Sequence, residues 1–153
     1  MKQVANYSRK EAKAYSRFFT GVWISIMEPN QPHIENEFLD KCPNLKIKFW
    51  DTTKIVKIFG TEDYAYPPTK EDAKQIVDFL IIHKDRHVIV NCAAGISRSG
   101  AVAQFCSDFL GHEWMENFKV RAYPNSLLYR MMMDYYLSFN PPPTKIVDKR
   151  GQQ

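Results

Sequence analysis

Apolar positions along the chain follow two rhythms. The unbroken runs VWISIM, opened by Gly21, and HVIVN at 87–91 read as buried strands, because a strand covered on both faces needs no polar alternation. Leu45, Ile47 and Phe49 alternate with Lys46 and Lys48, the two-residue period of a half-buried strand ending at Trp50-Asp51. Ala73, Ile76, Val77, Leu80 and Ile81 recur at helical spacing behind Thr69, a good N-cap, with Asp72 at the third helical position. Residues 101–110 form an almost wholly apolar helix closed by Gly111. A last helix runs from about Ser126 to Phe139, with Asn125 or Ser126 as its cap.

Weaker signals fill the gaps. Ser8 and Glu11 fit a capping box at the head of a helix whose stripe would be Ala12, Tyr15 and Phe18 or Phe19. Its basic face, Arg9, Lys10, Lys13 and Arg17, reads most simply as a solvated surface. Residues 28–32 read as a loop and Ile34 to Leu39 as a short helix. The segment KIVKIF reads as a short strand or an ordered loop, stopped by Pro67-Pro68. Strands alternating with helices give an α/β class: a single domain with a central, mostly parallel sheet flanked by helices. The domain is expected over 1–139, with 140–153 as an extended C-terminal tail.

Composition narrows the function. At 153 residues, 44% hydrophobic and 25% charged, the chain has ordinary globular usage and enough length to bury a core. A net charge of +4 is too small to name nucleic acid as a partner, and it suits anionic ligands. Three cysteines, Cys42, Cys92 and Cys106, leave one over in any disulfide framework, so a reduced, cytoplasmic protein is expected. No run approaches about 18 apolar residues and the N-terminal segment has no apolar core, so neither a membrane span nor a secretory signal is expected. There is no C-x-x-C or H-E-x-x-H spacing and the histidines are scattered, so no metal or cofactor is expected. A monomer is expected.

One junction carries chemistry. A buried strand ending at Asn91 feeds the small-residue loop from Cys92 to Ser99, which opens a helix. Amides at a helix start lack internal partners and the helix dipole is positive there, so the geometry receives anions. Ligands of open α/β sheets bind at the carboxyl ends of the strands. Cys92 stands at that end, where amides, dipole and Arg98 favour its thiolate, a strong nucleophile. The planar fork of Arg98 can grip two phosphoryl oxygens together. Ala93, Ala94 and Gly95 add no bulk, so the backbone can curl around an anion together with Ile96 and Ser97. A purely structural turn around a buried thiol fits less well, because a buried Arg98 and an empty ring of amides would both need partners.

The run C-A-A-G-I-S-R-S from Cys92 to Ser99 resembles the C-x-x-G-x-x-R-[ST] signature of the cysteine-dependent protein tyrosine phosphatases, and 88–110 is closest to their compact dual-specificity branch. The resemblance implies attack of Cys92 on phosphorus, with Arg98 and the loop amides on the equatorial oxygens. It also implies that Ser99 stabilises the departing Cys92 thiolate and that an aspartate protonates the leaving oxygen. Asp51, directly after a strand, is favoured for that acid over Asp63, although 41 positions separate it from Cys92 and KIVKIF would then be an insertion. The family usually has His before the cysteine, where this chain has Asn91. Asn125, in A-Y-P-N-S, matches a family segment that braces the loop.

The implied function is hydrolysis of phosphomonoesters on phosphotyrosine or other phosphorylated protein side chains. Two alternatives stand beside it: a non-catalytic phosphate-binding module, and a phosphatase for RNA 5′ ends, nucleotides or phosphoinositides. Cys106 is expected in the core, Cys42 as a plain loop or helix-end thiol, and His83, His87 and His112 as surface or capping residues. Tyr64 and Tyr66 would wall the pocket or pack on the body.

Overall fold

The computed structural model describes residues 1–141, so the end of the expected 140–153 tail lies outside the described residues. Strand β1 (Gln3–Tyr7) leads into helix α1 (Arg9–Ala14), then β2 (Val22–Met27), a 3-10 turn at Leu39–Lys41 and β3 (Asn44–Lys48). A small hairpin of β4 (Val56–Lys57) and β5 (Tyr64–Ala65) precedes α2 (Lys70–Ile82) and β6 (Val88–Asn91). Helix α3 (Arg98–Leu110), β7 (Glu113–Trp114), a 3-10 turn at Lys119–Arg121 and α4 (Ser126–Phe139) complete the order.

The main sheet has five strands in the order β3-β2-β6-β1-β7, and every pairing in it is parallel. It is a small α/β domain with helices on both faces, because the two-residue strand period sends alternate side chains to opposite layers. On β6, Val88 and Val90, followed by Cys92, enter the core beneath α2, α3 and α4, with Ala73, Ile76, Ala101, Phe105 and Leu128. Ile89 enters the opposite layer with Ala5, Trp23, Met27 and Leu39. Burying each large aliphatic side chain here contributes about 1.5–3 kcal/mol.

The helix caps follow their sequence signals. Thr69 and Asp72 form a reciprocal capping box, as do Ser8 and Glu11. Asn125 caps α4 by accepting from Leu128 N–H, and Gly111 closes α3 in the left-handed region at φ 78°. Four local expectations differ. The N-terminal segment forms a full strand, β1, whose VANY residues are buried; its five residues before the capping box carry too little pattern to announce it. Helix α1 stops at Ala14, so Tyr15 and Phe19 pack from outside it and Phe18 is exposed. In place of the helix at Ile34 to Leu39, the Asn36 side chain bonds the carbonyls ending α1 and the N–H groups of Phe38 and Leu39, which holds an extended loop and delays helix to Leu39–Lys41. His112 is buried rather than superficial: it bonds the Arg86 carbonyl at 2.9 Å, and burial lowers its basicity.

Candidate active site

Strand β6 ends at Asn91 and α3 begins at Arg98, so residues 92–97 make the turn between them. Four carbonyls of this turn are tied to neighbouring segments. Ala93 O accepts from Arg9 N–H, Ile96 O from Tyr123 N–H and Ser97 O from Asn125 N–H, each at 3.0 Å. Gly95 O accepts from Asn6 Nδ2 at 2.8 Å. The N–H groups of Ala93, Ala94, Gly95, Ile96, Ser97 and Arg98 have no protein acceptor among the described residues. Carbonyls engaged and amides left over, at the positive end of a helix of 13 residues, make the donor set of an anion nest. Gly95 permits the turn: its φ is +74°, and a Cβ there would stand 2.6 Å from the Ser8 nitrogen.

Cys92 opens this turn and is buried. It is 2% exposed, and its Sγ is 3.1 Å from the Oγ of fully buried Ser99. The other two thiols differ in setting. Cys106 is wholly buried on α3, where burial pushes its thiol up and keeps it protonated, and Cys42 donates to Phe19 O at 3.2 Å.

Arg98 is 3% exposed, and two neighbours aim its guanidinium. Nη1 donates to Phe49 O at 2.9 Å and Nη2 to Glu28 Oε1 at 2.8 Å. Nε–H is buried and has no protein partner among the described residues. A guanidinium carries five N–H donors, so these contacts leave several for a ligand. Burial alone would raise the Glu28 carboxyl, but the hydrogen bond and charge of Arg98 outweigh it and hold the carboxyl below its usual range.

Asp51 follows the end of β3 and is exposed at the edge of the loop. Its Oδ1 accepts from Ser97 Oγ at 2.8 Å and from Asn125 Nδ2 at 3.0 Å. Asn125 therefore joins the loop, the carboxylate and the cap of α4. Asp63 sits in the hairpin, with its carbonyl accepting from Ile58 N–H at 2.9 Å. It lines a depression with Trp50, Tyr64 and Tyr66. The structure thus links Cys92 to Ser99 and Asp51 to the loop through Ser97, whereas Asp63 makes no side-chain hydrogen bond to the loop among the described residues.

Asn91 is fully buried and turned toward the opposite layer from Cys92, where its Oδ1 accepts from Trp23 Nε1 at 2.8 Å and its Nδ2 meets Met27 Sδ at 4.0 Å. Sequence reasoning missed Glu28 and Asn6. Each had a signal: Glu28 is the first residue after the VWISIM strand, at the sheet edge where ligands gather, and Asn6 is a polar residue inside an apolar N-terminal run.

No protein-family model matches the chain, and no curated protein matches it in sequence. Solved structures do match. Human DUSP28 aligns with a TM-score of 0.50 at 15% identity, covering 90% of this chain and 93% of that one. This chain has the fold of a dual-specificity phosphatase. A single-residue variant of human DUSP28 gives the same TM-score of 0.50 at 13% identity, over 90% of this chain and 91% of that one. Tk-PTP in its active form matches at 15% identity and a TM-score of 0.45, over 99% of this chain and 87% of that one. Within this phosphatase fold, no described helix is long and apolar enough to cross a membrane.

Proposed function

We propose that the chain is a cysteine-dependent phosphomonoesterase acting on phosphorylated protein side chains. The observation that carries this reading is the turn itself: six consecutive N–H groups without protein acceptors among the described residues, with a buried sulfur 3.1 Å from a hydroxyl at its start and a tethered guanidinium at its end. A phosphoryl group seated there would meet the loop amides and the remaining Arg98 donors on its equatorial oxygens. The Cys92 sulfur then forms a bond to phosphorus as the bond to the leaving oxygen breaks. Asp51 gives that oxygen its proton. In the second step Asp51 takes a proton from water, the water oxygen bonds to phosphorus, and the S–P bond breaks. The Ser99 hydroxyl donates to the sulfur as it regains negative charge.

Asp51 suits the acid role because its carboxylate sits on the loop edge through Ser97, whereas Asp63 lies among the hairpin aromatics. Turnover of a small aryl phosphate by the purified protein tests the reading, with Cys92→Ser as control. Turnover that the control abolishes supports it. Equal rates in the two proteins would sink it.

The structure also keeps a second reading in view. Asn91, where the family usually has His, engages Trp23 and Met27 rather than the loop. A phosphate-binding module without turnover would bind phosphopeptide, lose it in Arg98→Ala, and release no phosphate.

A further inference from the structure

Helix α1 lies against the phosphate loop through the Arg9 N–H to Ala93 O bond of 3.0 Å. Between them is an open cleft of about 580 Å3, lined by Arg9, Lys10, Lys13, Ala14 and Ala93. Its cations make no direct ion pair among the described residues, although the charge of Arg9 acts on the Glu28 carboxylate. Among the described residues, Arg9, Lys10 and Lys13 pair with no carboxylate, and Arg9 reaches only the neutral Gln31 Oε1 at 3.4 Å. The one acid of the helix, Glu11, is occupied: it accepts from the Ser8 N–H at 2.8 Å and from Arg121 Nη1 at 3.1 Å. The helix therefore turns Lys10 and Lys13, which pair with no carboxylate among the described residues, together with Arg9 toward the cleft at the loop's edge. The spacing of these cations from the nest is fixed by a backbone hydrogen bond rather than by flexible chain.

We propose that this cleft binds acidic side chains flanking the phosphorylated residue of a protein substrate. The inference rests on the phosphatase reading and deepens it. Charge complementarity names an anion as occupant, and the surroundings favour a peptide over a polyanion. In the sheet order, β1 and α1 lie on one side of β6, whereas the ends of β2 and β3 lie on the other. There a second depression of about 490 Å3 is lined by Trp50, Tyr64 and Tyr66 with the carboxylates Glu62 and Asp63. An extended peptide projects successive side chains to opposite sides, so it can offer acids to α1 and apolar groups to the tyrosines. A nucleic acid or an anionic lipid surface spanning both sides would meet Glu62 and Asp63.

The test compares a phosphotyrosine peptide with Asp and Glu flanks against the same peptide with Ala flanks. Lys10→Glu/Lys13→Gln is the variant: both lysines are exposed, and Glu in the first turn suits the helix dipole, so the fold is retained. The wild type is expected to prefer the acidic peptide by about five- to thirtyfold in kcat/KM, as a few exposed charge pairs allow. The preference shrinks with added salt and disappears in the variant. No preference in the wild type, or an equal preference in the variant, overturns the proposal. So does a larger effect of the lysines on a 5′-phosphorylated oligonucleotide or on phosphoinositide vesicles. A small aryl phosphate run in parallel separates the two readings. If the wild type leaves it intact, the enzyme reading fails, and the same peptide comparison is made by binding to Cys92→Ser with and without the lysine changes, the same outcomes deciding.

Discussion

Glu28 and Arg98 stand 70 positions apart in the chain and meet at 2.8 Å. Glu28 directly follows β2 and Arg98 begins α3, so the pair ties the segment after β2 to the start of the helix that follows the loop. Arg98 is buried, and removing its partner leaves a guanidinium held by the Phe49 carbonyl alone. Glu28→Ala is expected to cost about 1–3 kcal/mol in urea unfolding, below the value for a fully buried pair because Glu28 is partly exposed. It is also expected to lower kcat/KM on an aryl phosphate about 10- to 100-fold, since a misaimed group loses orientation.

The same pair sets an acid limb of stability. The Glu28 carboxyl is lowered in the folded state, burial raising it and the Arg98 hydrogen bond and charge more than reversing that. Its contribution is therefore fully present above the unfolded value of about 4.3 and is lost as pH falls through the lower folded value. Thermal melts at pH 7 and at successively lower pH should show the wild type losing more Tm than Glu28→Gln. Parallel loss in both proteins would remove Glu28 from the account.

Asp51 and Asp63 separate by leaving group. Protonation matters most when the departing alcohol is a poor leaving group, so Asp51→Asn should lower kcat on phenyl phosphate by about 10²–10⁴-fold. On a nitrophenyl ester the fall should be much smaller. Asp63→Asn should change neither by more than a few-fold. The reverse ranking would move the acid to the hairpin.

Ser99→Ala should expose the second step. The hydroxyl lies 3.1 Å from the sulfur and is wholly buried. Without that donor the thiolate leaves phosphorus more slowly. Rapid mixing should then give a burst of released phenol about equal to the enzyme, followed by a slow steady rate. A linear trace at the reduced rate would mean that Ser99 acts on the first step instead.

The sequence made local features legible and long-range ones much less so. The loop, its flanking strand and helix, and the caps at Thr69, Ser8 and Asn125 all rest on neighbours within a few positions. Periodicity also disclosed the parallel class, because HVIVN and VWISIM are apolar on both faces. Strand β1 stayed hidden because five residues at a chain end carry too short a pattern, yet it supplies Asn6, which holds the Gly95 carbonyl. Glu28 stayed hidden for another reason. A glutamate after a strand is ordinary until the sheet order places β2 beside β6 and brings Arg98 to it.

Asn91 yields the last prediction. Its side chain is fully buried, faces Trp23 and Met27, and touches no atom of the loop among its hydrogen bonds. The site is shaped for a small carboxamide whose oxygen accepts from an indole. Asn91→His, which would install the residue usual in the phosphatases whose signature loop this one resembles, must fit a ring against Met27 and reposition the Trp23 N–H. Overpacking of this kind costs about 1–3 kcal/mol, so the variant should unfold at lower urea with an unchanged m-value. Its kcat/KM on an aryl phosphate should stay at or below that of the wild type. Trp23→Phe probes the other partner: it leaves Asn91 Oδ1 buried without a donor, at about 1–3 kcal/mol, and the two changes together should cost less than their sum because they disturb one shared contact. A gain in activity from Asn91→His would show instead that the imidazole reaches the loop and that the Trp23 pairing is replaceable.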